Sequence, residues 1–136
     1  MKKYISVTIF MVILFASAVA NNATDTIYTY YDAARNKYTI TGNELEYIPV
    51  NARESSSGIY SGGTYASKVL TEKESQELVQ LFKAAIANKK AQTNKNIKPN
   101  AAVTISTGNK KINFLLKSKS KFNIAINNFL KQLIKN

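Results

Sequence analysis

The chain has 136 residues, 19 Lys and Arg against eight Asp and Glu, and a formal net charge of +11. It contains no His and no Cys, which removes His- or thiolate-bound zinc, the Ser-His-Asp triad, the cysteine nucleophile and every disulfide from its chemistry. The charge is unevenly divided: Glu77 is the last carboxylate side chain, and the 59 residues from Leu78 to Asn136 carry twelve Lys and no acid.

Met1–Ala20 reads MKKYISVTIFMVILFASAVA. Lys2 and Lys3 form a positive n-region, Ile5–Phe15 is apolar, and Ala18-Val19-Ala20 is a small–x–small cleavage site. This pattern predicts a secretory signal peptide cut after Ala20. The apolar stretch falls short of the ~20 residues that span a bilayer, and no Cys near the cut offers a lipid anchor. The expected mature chain, residues 21–136, is a single domain in a periplasm or medium, held by packing alone. Seventeen Lys against two Arg suits an AT-rich bacterial genome, and composition then accounts for part of the Lys excess. Asn21–Glu77 holds five basic and eight acidic residues, net −3; Leu78–Asn136 is net +12. A field of that size steers anionic partners with strong salt dependence, and also keeps a secreted protein soluble.

Taken in order, Thr26–Tyr31 is rich in β-branched and aromatic residues and predicts a strand. Asp32–Asn36 is a turn. Lys37–Thr41 alternates as a second strand, and Gly42-Asn43 marks a hairpin. Glu44–Val50 is a third strand, with Leu45 and Tyr47 on one face and Glu44, Glu46 and Ile48 on the other. Pro49, without an N–H, ends it or confines it to an edge. Asn51–Lys68 reads as a long irregular loop holding three of the five Gly. Thr71-Glu72-Lys73-Glu74 is a capping box that opens a helix with a buried stripe at Leu78, Leu81, Phe82, Ala85 and Ile86. Glu72, Glu74 and Glu77 near its start and Lys89 and Lys90 near its end suit the helix dipole. Ala91–Asn100 reads as a linker. Ala102–Ser106 and Lys111–Leu116 form a hairpin around Thr107–Asn109, with Ile112, Phe114 and Leu116 facing the core. Ser118 or Ser120 caps a last helix whose stripe is Phe122, Ile126, Phe129, Leu130, Leu133 and Ile134. The expected fold is α+β: a two-layer antiparallel sheet, order β-β-β-α-β-β-α, with two helices packed on one face.

Little catalytic chemistry remains. Glu44 and Glu46 share a strand face, the pattern of a solvated face; glycosidase carboxylates usually come from different elements. A Ser–Lys dyad could draw on Ser55, Ser56, Ser57 or Ser61 with Lys68. No D-x-[DN]-x-[DN]-G calcium loop appears, and no cofactor or metal is expected. The reading is a non-catalytic binding module, with a hydrolase lacking His and Cys as a minor alternative.

The loop is the better lead. Ser55, Ser56, Ser57, Gly58, Tyr60, Ser61, Gly62, Gly63 and Tyr65 combine the residue types that recognition loops favour. Gly62-Gly63 could form an anion-binding nest, and Arg53 and Lys68 flank the segment as anchors for an acidic group. Against this stands a plain connector pinned to the sheet by its Tyr side chains. Inserting this loop into a secreted hydrolase, as an inhibitor does, is the alternative function. All Tyr after residue 20 lie between Tyr28 and Tyr65, and all Phe after it between Phe82 and Phe129. Since Tyr suits half-wet surfaces, the first half is expected to offer the contact surface and the second the core and charge. The expected partner is a protein or an anionic envelope component. With only Arg35 and Arg53 in the mature chain and its Lys spread out, sequence-specific nucleic-acid binding is disfavoured. Lys121, Lys131 and Lys135 lie opposite the apolar stripe of the last helix, as in a core-packing helix or an interfacial membrane helix. Nothing in the sequence sets the oligomeric state.

Overall fold

Alternating side chains and two tight turns build the first half of the chain. The computed structural model describes residues 25–97 and 99–135, so the expected signal peptide lies outside the described residues. Strands β1 (Thr26–Tyr31), β2 (Lys37–Thr41) and β3 (Glu44–Ile48) form an antiparallel meander. Asp32 sets the first turn: its Oδ1 accepts from the Ala34 and Asn36 N–H groups, each at 2.9 Å. Arg35 takes the left-handed conformation there, φ 73°. Gly42, φ 58°, opens the second turn and pairs Thr41 with Glu44. That register carries Tyr38 opposite Tyr47, while β1 brings Tyr30 opposite Tyr38. Three tyrosines therefore form one row across three strands, with ring centroids 6.0 and 4.8 Å apart. β3 stops at Ile48, before Pro49.

Strand β4 (Ala66–Val69) adds to β3 and corrects the expectation of an irregular loop up to Lys68. Four residues without alternation carry no strand signal; the unpaired edge of β3 supplies the reason to extend. Helix α1 (Glu72–Ala87) starts as expected. Glu74 N–H donates to Thr71 Oγ1 at 3.2 Å, and Thr71 N–H donates to Glu74 Oε2 at 2.9 Å. The Thr71 N–H, helped by Lys68, holds the Glu74 carboxyl below the usual carboxylate range. Thr71→Ala should cost about 1 kcal/mol of stability by removing this cap. Denaturant midpoints read it, and an unchanged midpoint would show the helix start held by packing instead.

Lys89 and Lys90 do not complete the last turn of α1. They fall in a 3₁₀ turn, Lys89–Ala91, beyond the Asn88 cap. Within the expected linker, Gln92–Thr93 forms a two-residue strand β5. Strands β6 (Ala101–Thr107) and β7 (Lys110–Leu116) make the second hairpin. Helix α2 (Lys121–Lys135) is capped by Ser120, whose Oγ accepts from Asn123 N–H at 3.2 Å.

The strands form one seven-stranded antiparallel sheet in the order β4-β3-β2-β1-β6-β7-β5. Both helices pack on one face and share a single core, so the α+β two-layer architecture holds. α1 contributes Leu78, Phe82 and Ala85, and α2 contributes Ile126, Leu130 and Leu133. Two side-chain expectations fail. Tyr28, Tyr30, Tyr38 and Tyr47 belong to the core, because their positions in β1–β3 face the helices. Ile112 shares the core face with Phe114 and Leu116, yet it lies nearest the hairpin tip and is 47% exposed.

Candidate functional site

The row of tyrosines ends in a cleft. Tyr30, Tyr38 and Tyr47 bring their rings from adjacent strands to the helix side, and α2 crosses opposite them. The space left there is about 660 Å³. α2 lines it with Asn123, Asn127, Asn128, Lys131 and Lys135, a polar stripe at helical spacing beside the apolar one. The turn after β1 contributes Asp32 and Asn36, and the long loop contributes Tyr60 and Gly62.

Hydrogen bonds fix the inner wall. Tyr30 OH donates to Asn123 Oδ1 at 2.6 Å, tying β1 to α2. Asn123 Nδ2 donates to the Ser118 carbonyl at 3.4 Å. Asp32 is buried, and its Oδ2 takes Asn36 Nδ2 at 2.9 Å, in addition to the two N–H donors on Oδ1. Its charge is therefore met by three donors, as a buried carboxylate requires. Burial, and then the Asp32 charge, push the Tyr30 and Tyr38 phenols well above the ordinary tyrosine range. Tyr47 is raised by the same causes. Asn127 Oδ1 is buried with no hydrogen-bond partner among the described residues. Lys68–Glu74 is the one ion pair among them, so neither Lys131 nor Lys135 is neutralised there.

Asn36 and Gly62 clamp the long loop onto this site. Asn36 Oδ1 accepts from Val50 N–H at 3.0 Å, and Asn36 Nδ2 also reaches Tyr60 OH at 3.4 Å. Gly62 N–H donates to the Val50 carbonyl at 2.9 Å, and Tyr47 OH donates to the Gly62 carbonyl at 2.6 Å. A Cβ on Gly62 would overlap the Asn36 side chain and come within 2.9 Å of Pro49 Cβ. Only glycine allows the two strands of chain to approach this closely.

The residues expected to act together are divided. Tyr60 and Gly62 line the cleft. Ser55, Ser56, Ser57 and Gly58 lie toward the tip: Ser55 Oγ donates to the Ala52 carbonyl at 2.8 Å, and Ser57 Oγ accepts from Tyr60 N–H at 3.2 Å. Arg53 is exposed on the approach to the tip. Gly62-Gly63 is not an open nest, since Gly62 N–H is spent on Val50 and Gly63 N–H turns to Ser61 Oγ at 3.3 Å. Tyr65 leaves for the other side of the sheet, where its OH donates to Glu46 Oε1 at 3.1 Å. Lys68 Nζ pairs with Glu74 Oε1 at 3.3 Å. Glu44 and Glu46 lie on the sheet face away from the helices.

The sequence reading missed Asn36, Tyr38, Asn123, Asn127 and, at the loop tip, Ile59, which is 85% exposed. The two-residue hairpin turn already implied the Tyr38–Tyr47 pairing. Asn123, Asn127 and Lys131, spaced by four, were a readable stripe in the last helix. Among the described residues, no cluster of His, Cys, Asp or Glu could hold a metal ion, and no helix is long and apolar enough to cross a membrane. No family model matches the chain, and neither curated proteins nor solved structures yield a match.

Proposed function

We propose that the protein is a small exported bacterial binding module without catalytic activity, and that it takes an acidic segment of a protein partner into the cleft under Tyr60. One observation carries this reading: the loop and the basic half meet at one place. Tyr60 and Gly62 from the loop and Lys131 and Lys135 from α2 line the same cleft. Carboxylates of the segment pair with the two ammonium groups, and Tyr60, 44% exposed, supplies an aromatic surface at the mouth. The net +12 of Leu78–Asn136 steers the approach.

A Glu-rich peptide and an uncharged peptide of equal length test it by calorimetric titration. The acidic peptide should bind, weaken steeply with salt, and lose at least tenfold in affinity in Lys131→Glu/Lys135→Glu. Tyr60→Ala should cost about 1–3 kcal/mol of binding, as an aromatic anchor does. Equal affinity at low and high salt, or for both peptides, would overturn the reading.

The inhibitor-like alternative has its own support. The loop is clamped at Gly62 and braced at Ser57, yet it presents Ile59 almost fully exposed at its tip. A rigid base with an apolar tip suits insertion into a hydrolase pocket.

A further inference from the structure

The helices use one face of the sheet. No described element packs on the other, and register arranges its side chains in three rows across five strands, with β1 in the middle. One row reads Glu44, Thr41, Ile27, Ser106, Lys111 from β3 to β7. The next reads Glu46, Thr39, Thr29, Thr104, Asn113, and the third Ile48, Lys37, Tyr31, Ala102, Leu115. Acid stands at one end of the first row and base at the other.

We propose that this face docks on the same face of a second copy of the chain, about a two-fold axis parallel to β1. That rotation exchanges β3 with β7 and β2 with β6 and leaves each row at its own level. Glu44 of each protomer then meets Lys111 of its partner. Ile48 meets Leu115, and Ile27, Thr29 and Tyr31 meet their own copies on the axis. Lys37 arrives over Ala102, which lines a hollow of about 560 Å³ together with Thr104, Asn113 and Leu115. A two-fold axis across the strands at the middle row sets Glu46 against itself, Glu44 against Ile48 and Lys111 against Leu115, so charge selects between the two geometries. Glu46 is already engaged by Tyr65, which leaves Glu44 as the ionic contact.

The face also has apolar surface to bury. Ile27 is 38% and Ile48 39% exposed, and Val69 beside Glu44 is 72% exposed. Five strands at ~4.8 Å span about 19 Å, and two such faces stack ~10 Å apart as an aligned sandwich. A footprint of about 19 Å by 14 Å belongs with the small, weak class of interfaces, so the dimer is a reversible one. The clefts lie on the helix side of each sheet, so the dimer is a bivalent binder with both clefts open.

Sedimentation equilibrium at physiological salt should show a monomer–dimer equilibrium for the purified protein. Glu44→Lys and Lys111→Glu should each weaken it by about tenfold or more, since each creates two like-charge contacts per dimer. The double variant Glu44→Lys/Lys111→Glu should recover most of the loss. Within one protomer these residues stand four strands apart, about 19 Å, so recovery reports contact between copies. The natural chain has no Cys, so a single introduced thiol is a unique reporter. Thr29→Cys, on the axis, should be joined to its own copy by a short bismaleimide, whose spacer bridges the ~10 Å between stacked sheets, far faster than Lys83→Cys on the exposed side of α1. A wild-type monomer at all concentrations, equal cross-linking at the two positions, or a double variant as weak as the singles would overturn the proposal.

Discussion

Phe82→Ala should lower the stability of the protein by about 3–5 kcal/mol, the usual cost of emptying a core aromatic site. Phe82 is fully buried, and its ring stacks on Tyr28 with centroids 5.2 Å apart. It joins α1 to the centre of the sheet, so its loss leaves a void that neither layer can close without moving the other. Against a typical total of 5–15 kcal/mol, that is a large share. The periodic stripe of the last helix pointed instead to Phe129, which is only partly buried. Denaturant midpoints for both variants decide the ranking. A Phe129→Ala protein that loses more than Phe82→Ala would contradict the packing described.

Alkaline pH should unfold the protein through the tyrosine row. Burial and the Asp32 charge raise the Tyr30 and Tyr38 phenols well above their ordinary value of 10.0. The sign follows from proton binding. Above about pH 10 the unfolded chain releases these protons while the folded chain keeps them, so stability falls as pH rises. Below that range the contribution is fully present. Each phenol removes about 1.4 kcal/mol per pH unit in this window, so the pair removes about 3. Tyr38→Phe should halve this part of the slope. Tyrosinate absorbance followed with far-ultraviolet circular dichroism tests it: the last phenols should ionise only as the sheet is lost. Complete tyrosine ionisation near pH 10 with the fold intact would show the row to be open to water.

Local chemistry was legible in the sequence. The capping box at Thr71, the break at Pro49, the hairpin turn at Gly42 and the amphipathic stripe of the last helix each depend on residues within a few positions. Each appears where the local pattern puts it. β4 and β5 were not legible, because four and two residues respectively become strands only when a neighbouring strand offers its edge. The tyrosines were misjudged for a related reason. A phenol suits a wet surface or a core equally, and the choice depends on what covers the strand face. Here that cover is supplied by helices from much later in the chain.

The candidate site divides the same way. Composition and local pattern by themselves determined that the second half carries the positive charge, that imidazole and thiol side chains are absent, and that the Ser/Gly/Tyr segment lacks helical or alternating periodicity. Only the tertiary structure decided that Asn36 reaches Val50 and Tyr60, that Gly62 must be bare for the loop to close on Asn36, and that Lys131 and Lys135 line the same cleft as Tyr60. Charge, caps and turns depend on near neighbours along the chain. A cleft is built from segments far apart in sequence, brought together when the sheet and the helices bury their apolar faces against each other.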